Sequence, residues 1–147
     1  MIAFFDTSAL VKVFVTEAHS ESVRQWAGAA STVMVSEITW VELCAAIAFK
    51  RRTGQLAPAN VAPILALVED EWPRYHRLSV DTDLLFEAGA LALQHDLRAY
   101  DSLQLATALR AFRTVGPTLR LCCFDKALNR AAKLHGLTAI DPGDELG

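Results

Sequence analysis

A chain of 147 residues with 52% apolar side chains has enough material for one compact core, and a single domain over residues 1–147 is expected. Lys and Arg number 14 against 17 Asp and Glu, a net charge of −3, which excludes a protein that coats nucleic acid through bulk positive charge. No stretch approaches the roughly 20 apolar residues of a membrane span, and Cys44, Cys122 and Cys123, with no CxxC pair among them, exclude a disulfide framework.

In chain order, Ile2 to Phe5 is a wholly apolar run expected to form a buried parallel strand. Asp6, Thr7 and Ser8 then supply helix-starting chemistry, and helices are predicted over Ala9 to Val15 and over Ser20 to Ala27. Thr32 to Val35 reads as a second strand, and Ser36 as the cap of a helix from Glu37 to about Arg52. Pro58 opens a helix that runs to Glu71, and Trp72-Pro73 closes it. A short strand is predicted over Tyr75 to Val80, then a helix capped by Asp81 or Asp83 and reaching His95. Asp101 begins a helix that stops at Gly116-Pro117. Leu119 to Phe124 reads as a fourth strand, with Cys122 and Cys123 on opposite faces. A last helix over Asp125 to His135, a strand over Leu137 to Ile140 and a tail from Pro142-Gly143 complete the pattern. Strands alternating with helices predict an α/β fold with a parallel sheet, whose sites form beyond the carboxyl ends of its strands.

Four carboxylates sit at the edge of, or inside, segments that favour burial. Asp6 follows Ile-Ala-Phe-Phe, Glu42 lies within Trp-Val-Glu-Leu-Cys-Ala-Ala-Ile, Asp101 precedes Ser-Leu-Gln-Leu-Ala, and Asp125 follows Leu-Cys-Cys-Phe. A buried carboxylate must be neutralised, paired or metal-bound. Glu42 is the most telling, because its i±3 and i±4 neighbours, Ile38, Thr39, Ala45 and Ala46, offer no opposite charge. No histidine lies in the four segments, so an oxygen-only set points to Mg²⁺ or Mn²⁺ rather than zinc. The plainer roles stay open at this point: Asp6, Asp101 and Asp125 as helix caps, and Glu42 in a solvated slot or paired with a distant cation such as Arg98.

The stretches Phe-Asp-Thr-Ser-Ala-Leu-Val-Lys, Val-Ser-Glu-Ile-Thr-Trp-Val-Glu-Leu, Leu-Arg-Ala-Tyr-Asp-Ser-Leu-Gln-Leu-Ala-Thr-Ala and Phe-Asp-Lys-Ala-Leu-Asn-Arg-Ala-Ala, in this order, resemble the PIN domain, and more narrowly the VapC toxins of type II toxin–antitoxin pairs. The resemblance implies a three-layer fold, a five-stranded parallel sheet flanked by about seven helices. It implies Mg²⁺- or Mn²⁺-dependent endoribonuclease action on RNA, with the family's four acids falling on Asp6, Glu42, Asp101 and Asp125, and a site hydroxyl on Thr7 or Ser8. Cys123 stands where the family commonly has Thr. A homodimer and a cognate VapB-like antitoxin are implied as well, the antitoxin lying over the first four helices near Trp26, Trp40 or Trp72.

The competing functions are a phosphatase or phosphotransferase with a strand-end aspartate nucleophile, and a non-catalytic interaction domain of the same fold. The first usually wants a second acid two residues on, where this chain has Ser8. Lys50, Arg51 and Arg52 read first as complements to a helix C-terminus, and Arg110, Arg113, Lys126, Arg130 and Lys133 as helix-surface cations. The opening Met1 to Asp6 carries no basic segment and is not expected to be a secretion signal, so the expected compartment is the cytoplasm.

Overall fold

The computed structural model describes residues 1–140, and the expected tail at Pro142-Gly143 lies outside them. Strands β1 (Ile2–Phe5), β2 (Thr32–Ser36), β3 (His76–Leu78), β4 (Leu119–Cys122) and β5 (Thr138–Ile140) form a parallel sheet in the order β3-β2-β1-β4-β5. Between them run α1 (Thr7–Phe14), α2 (Ser20–Ala29), α3 (Thr39–Arg52), α4 (Val61–Glu71), α5 (Thr82–His95), α6 (Ala99–Val115) and α7 (Lys126–Leu134). The α/β class, the five strands and the seven helices match the expectation.

Alternation along the strands builds a core on each face of the sheet. Phe4, Met34, Leu121 and Cys123 point to the side covered by α5, α6 and α7, where Leu84, Leu105 and Leu128 are fully buried. Ala3, Phe5, Val35 and Cys122 point to the side covered by α1 to α4, against Leu10, Trp26, Leu43 and Val68. The two adjacent cysteines therefore serve opposite cores, as predicted, and all three thiols are free. No helix among the described residues is long and apolar enough to cross a membrane.

Two element ends, at Glu37 and at Phe124, shift where a tertiary hydrogen bond competes with the local signal, and two more, at Pro58 and Asp101, shift within local backbone bonding. The helix expected from Glu37 starts at Thr39, because the Glu37 N–H bonds to the Leu78 carbonyl (2.9 Å) and prolongs the β2–β3 pairing. Pro58 opens a 3₁₀ turn, Pro58–Asn60, before α4 begins. The fourth strand stops at Cys122, not Phe124: its last rung is the Asp6 N–H on the Cys122 carbonyl (3.1 Å), after which β1 has already become α1. The next groups find side chains instead, Asn129 Nδ2 donating to the Cys123 carbonyl (2.8 Å) and the Phe124 N–H to Ser8 Oγ (2.8 Å). α6 begins at Ala99, so Asp101 lies inside its first turn and does not cap it.

The order of strands sets the place of the site. The chain moves outward from β1 to β2 and β3, then returns through α5 and α6 to pair β4 on the other side of β1. The carboxyl ends of β1 and β4 flank that reversal, the usual location for a ligand in an open parallel sheet.

Candidate active site

Asp6 and Asp125 leave the ends of β1 and β4 and do cap the following helices. Asp6 Oδ1 accepts the Ala9 N–H at 3.1 Å, and Asp125 Oδ1 accepts the Leu128 N–H at 2.9 Å. Each cap uses one carboxylate oxygen, and the second oxygen is engaged elsewhere in the site. Asp6 Oδ2 receives the Cys123 thiol at 3.0 Å, and Asp125 Oδ2 lies 3.6 Å from Arg98 Nη2. Capping and site chemistry are thus compatible in the same residue.

Glu42 sits in the first turn of α3, and Asp101 in the first turn of α6. With Asp6 and Asp125 they line one cleft of about 350 Å³, together with Thr7, Ser8 and Gln104. The four acids of the sequence pattern, spread from position 6 to position 125, therefore share a single concavity. Exposed Val41 and Tyr100 also line it.

Glu42 is not paired with Arg98. Its Oε1 accepts the Thr7 hydroxyl at 3.0 Å and Gln104 Nε2 at 2.7 Å. Gln104, only 2% exposed, also donates to Thr39 Oγ1 at 2.9 Å, while its own Oε1 has no partner among the described residues. Turning the amide over would set that oxygen against the Glu42 carboxylate, so an ionised Glu42 fixes the amide's orientation. Gln104 was not singled out from the sequence. The signal was available: it is a lone amide in the apolar run of α6, three residues from Asp101 and so on the same helix face.

Thr7 and Ser8 divide the hydroxyl role that the resemblance assigned to one of them. The Ser8 hydroxyl donates to Asp6 Oδ1 at 2.7 Å, whereas Thr7 serves Glu42. Cys123, at the position of the family's common Thr, supplies its thiol to Asp6. Burial pushes the Cys123 thiol well above its ordinary range, with the Asp6 charge acting in the same direction, so the sulfur keeps its proton and remains a donor.

Charge is confined in this cleft. Burial pushes the Asp6 carboxyl up to about 6, against the donations from Cys123, Ser8 and the Ala9 N–H, and the charge of Glu42 pushes it further the same way. Burial also raises Glu42, opposed by Gln104 and Thr7, and the Asp101 charge adds to the rise. Ionising all the acids together is unfavourable without a countercharge. Arg98 supplies one from the outside: its Nε donates to Asp101 Oδ2 at 3.0 Å while Nη2 faces Asp125.

The donor set suits a hard divalent cation, since every candidate ligand is a carboxylate and no histidine lines the cleft. Among the described residues no three Asp, Glu, His or Cys side chains are gathered into a ready-made metal cage. Mg²⁺ does not require one, because it keeps several waters and takes one or two carboxylates together with substrate phosphate.

Of the three tryptophans, Trp26 is core (1% exposed), while Trp40 and Trp72 are partly buried and meet edge to face with ring centroids 5.5 Å apart. Trp26 is thus not available to a partner. Arg110 and Arg113 are paired with Asp81 and Glu87 of the neighbouring helix, and Lys50 with Glu17.

A doubly covered parallel sheet with a cleft holding four carboxylates at its switch point fits a PIN domain, and residues 3–134 match that family: the chain belongs to the PIN-domain family. Among individual proteins it is similar to Ribonuclease VapC46 of Mycobacterium tuberculosis, 31% identical over 139 residues that span 95% of this chain and 96% of the relative. Among solved structures, PAE2754 from Pyrobaculum aerophilum superimposes with a TM-score of 0.68 at 18% identity, covering 95% of this chain and 92% of the other. A toxin–antitoxin complex from Klebsiella pneumoniae superimposes with a TM-score of 0.60 at 19% identity, covering 97% and 99%.

Proposed function

We propose that this chain is a metal-dependent endoribonuclease, the toxin of a VapBC-type toxin–antitoxin pair. The observation that carries the reading is the convergence of Asp6, Glu42, Asp101 and Asp125 on one cleft at the carboxyl ends of β1 and β4. The 31% identical relative is named a ribonuclease, and one structural neighbour is a toxin–antitoxin complex. The same reading takes the protein as a homodimer of the cytoplasm, where free thiols such as Cys44, Cys122 and Cys123 persist.

Asp6, Glu42, Asp101 and Asp125 would hold Mg²⁺ or Mn²⁺. When bound, such an ion supplies positive charge to the scissile phosphodiester and lowers the pKa of a coordinated water to make a nucleophile. The chain's own residues prepare for this. Cys123 and Ser8 hold the Asp6 carboxylate in one orientation, and Thr7 and Gln104 do so for Glu42, the outer-shell support that ligating carboxylates need. A phosphate is repelled by these acids until their charge is compensated, which makes cation binding a precondition of RNA binding in a chain of net charge −3. The strand-end aspartate phosphatase reading is disfavoured, because that chemistry usually wants a second acid two residues after Asp6 and this chain has Ser8 there, whose hydroxyl donates to Asp6.

The test is cleavage of total cellular RNA by partner-free protein in Mg²⁺, in Mn²⁺ and in chelator, with the new ends mapped. Cleavage in either metal that stops on chelation and is absent from Asp6→Asn supports the reading. RNA left intact by the parent protein in both metals, or cut equally by the variant, overturns it.

A further inference from the structure

Arg98 is the only basic side chain among the residues that line the cleft. It precedes α6 and reaches two of the four acids from the solvent side, 3.0 Å to Asp101 and 3.6 Å to Asp125. Its side chain is 83% exposed, whereas the two carboxylates it spans are 20% and 25% exposed. Four further cations are held away from the cleft, Arg110 by Asp81, Arg113 by Glu87, and Lys12 and Lys50 together by Glu17.

Resting on the reading of the cleft as a divalent-cation site, we propose that Arg98 has two alternating partners: Asp101 and Asp125 in the cation-free protein, and an RNA phosphate once a cation has taken those carboxylates. A guanidinium and a hard divalent ion compete for the same oxygens. A pair this exposed is screened by water and salt and is readily exchanged. The released guanidinium stays tethered at the mouth of the cleft, where the planar fork of arginine suits a phosphate better than the point charge of lysine does. The exchange keeps the acids partly neutralised before loading and turns the same positive charge toward the substrate afterwards. Arg98 is therefore a substrate-binding residue for the proposed reaction and a competitor of the ion that supports it.

Two measurements on the full chain test this without following cleavage. The first is calorimetric titration of Mn²⁺ into parent and Arg98→Gln protein free of RNA. The second is binding of a fluorescent 12-nucleotide single-stranded RNA in Ca²⁺ across a salt series, with the oligonucleotide checked as intact afterwards. The variant should bind Mn²⁺ roughly two- to fivefold more tightly, the range expected for losing an exposed competing pair. It should bind the RNA more weakly, with a log–log salt slope shallower by about 0.7, the signature of one lost phosphate contact on a single strand. Arg98→Lys keeps the charge and should keep the parent slope. Mn²⁺ affinity unchanged or weakened in Arg98→Gln, or an RNA salt slope equal to the parent's, overturns the inference and leaves the cation site standing. A parent protein that shows no saturable Mn²⁺ binding overturns the cation site and the inference together.

Discussion

Gln104 Nε2 donates to Glu42 Oε1 across 2.7 Å, joining two helices through residues 62 positions apart in the sequence. The amide is buried, has acceptors on Thr7 and Thr39 as well, and is the main fixed donor to the one acid that no cap or local cation explains. Glu42 is thereby aimed into the cleft.

Replacing Gln104 with Leu keeps the volume and removes the donor. Outer-shell partners of ligating groups are worth about 10- to 100-fold in metal affinity or activity, and a loss of RNA cleavage in that range is expected. Thr7 and Thr39 lose a partner too, so a stability loss of about 1–3 kcal/mol should accompany it. Urea unfolding and Mn²⁺ titration of the same preparation separate the two effects. Cleavage and Mn²⁺ affinity equal to the parent's would show that Glu42 needs no such support.

Asp6 carries a proton more readily in the folded chain than in the unfolded one, where its pKa is near the ordinary 3.8 rather than about 6. Between those values the folded state binds more protons than the unfolded state, so the Asp6 contribution to stability falls as pH rises from about 4 to about 6 and is constant above. The shift corresponds to something on the order of 3 kcal/mol at neutral pH. Asp6→Asn removes that penalty, offset in part by the carboxylate hydrogen bonds it weakens. In chelator at pH 7.5 the variant should unfold at the same or higher temperature than the parent. At pH 4.5 that advantage should disappear. A variant clearly less stable than the parent at pH 7.5 contradicts the assignment of the raised pKa to burial.

Cation binding requires the Asp6 carboxylate, so Mn²⁺ affinity should fall below about pH 6. The Cys123 thiol opposes the rise in Asp6, and its removal moves the limit upward. Cys123→Val should shift the acid limb of Mn²⁺ binding to higher pH, whereas Cys123→Thr, which offers a hydroxyl, should stay within about threefold of the parent at pH 7.5, less than a lost hydrogen bond to a charged group would cost. Coincident pH profiles for Val and parent would mean that the thiol contributes nothing to the Asp6 ionisation.

The order and type of the five strands and seven α-helices were legible in the sequence, because apolar runs end at Asp, Ser or Gly in nearly every case; the 3₁₀ turn at Pro58–Asn60 was not. The shifts at Glu37 and Phe124 were not, since each is set by a hydrogen bond made only in the folded chain, and α6 starts two residues before Asp101 through its own Ser102 N–H bond to the Arg98 carbonyl. All four cleft-lining acids could be named from the sequence: Glu42 has no local partner, Asp6 and Asp125 end apolar runs ahead of helices, and Asp101 stands just before an apolar run. What they touch could not be read in the same way. Whether Arg98 would meet Glu42 or the pair Asp101 and Asp125 depends on where α3 and α6 deliver their first turns, and spacing alone does not say. The Asp6–Cys123 contact likewise exists because β1 and β4 are neighbours, with 117 positions between the two residues.

The most direct test of the central claim is a calorimetric titration of Mn²⁺ into the purified, chelator-treated chain at pH 7.5, run alongside Asp6→Asn, Glu42→Gln, Asp101→Asn and Asp125→Asn. The account predicts saturable binding by the parent and a loss of about tenfold or more in affinity for Asp6→Asn and Asp101→Asn, as expected when a ligand or its orienting partner is removed. Saturable binding that none of the four substitutions weakens would place the ion elsewhere and contradict the account.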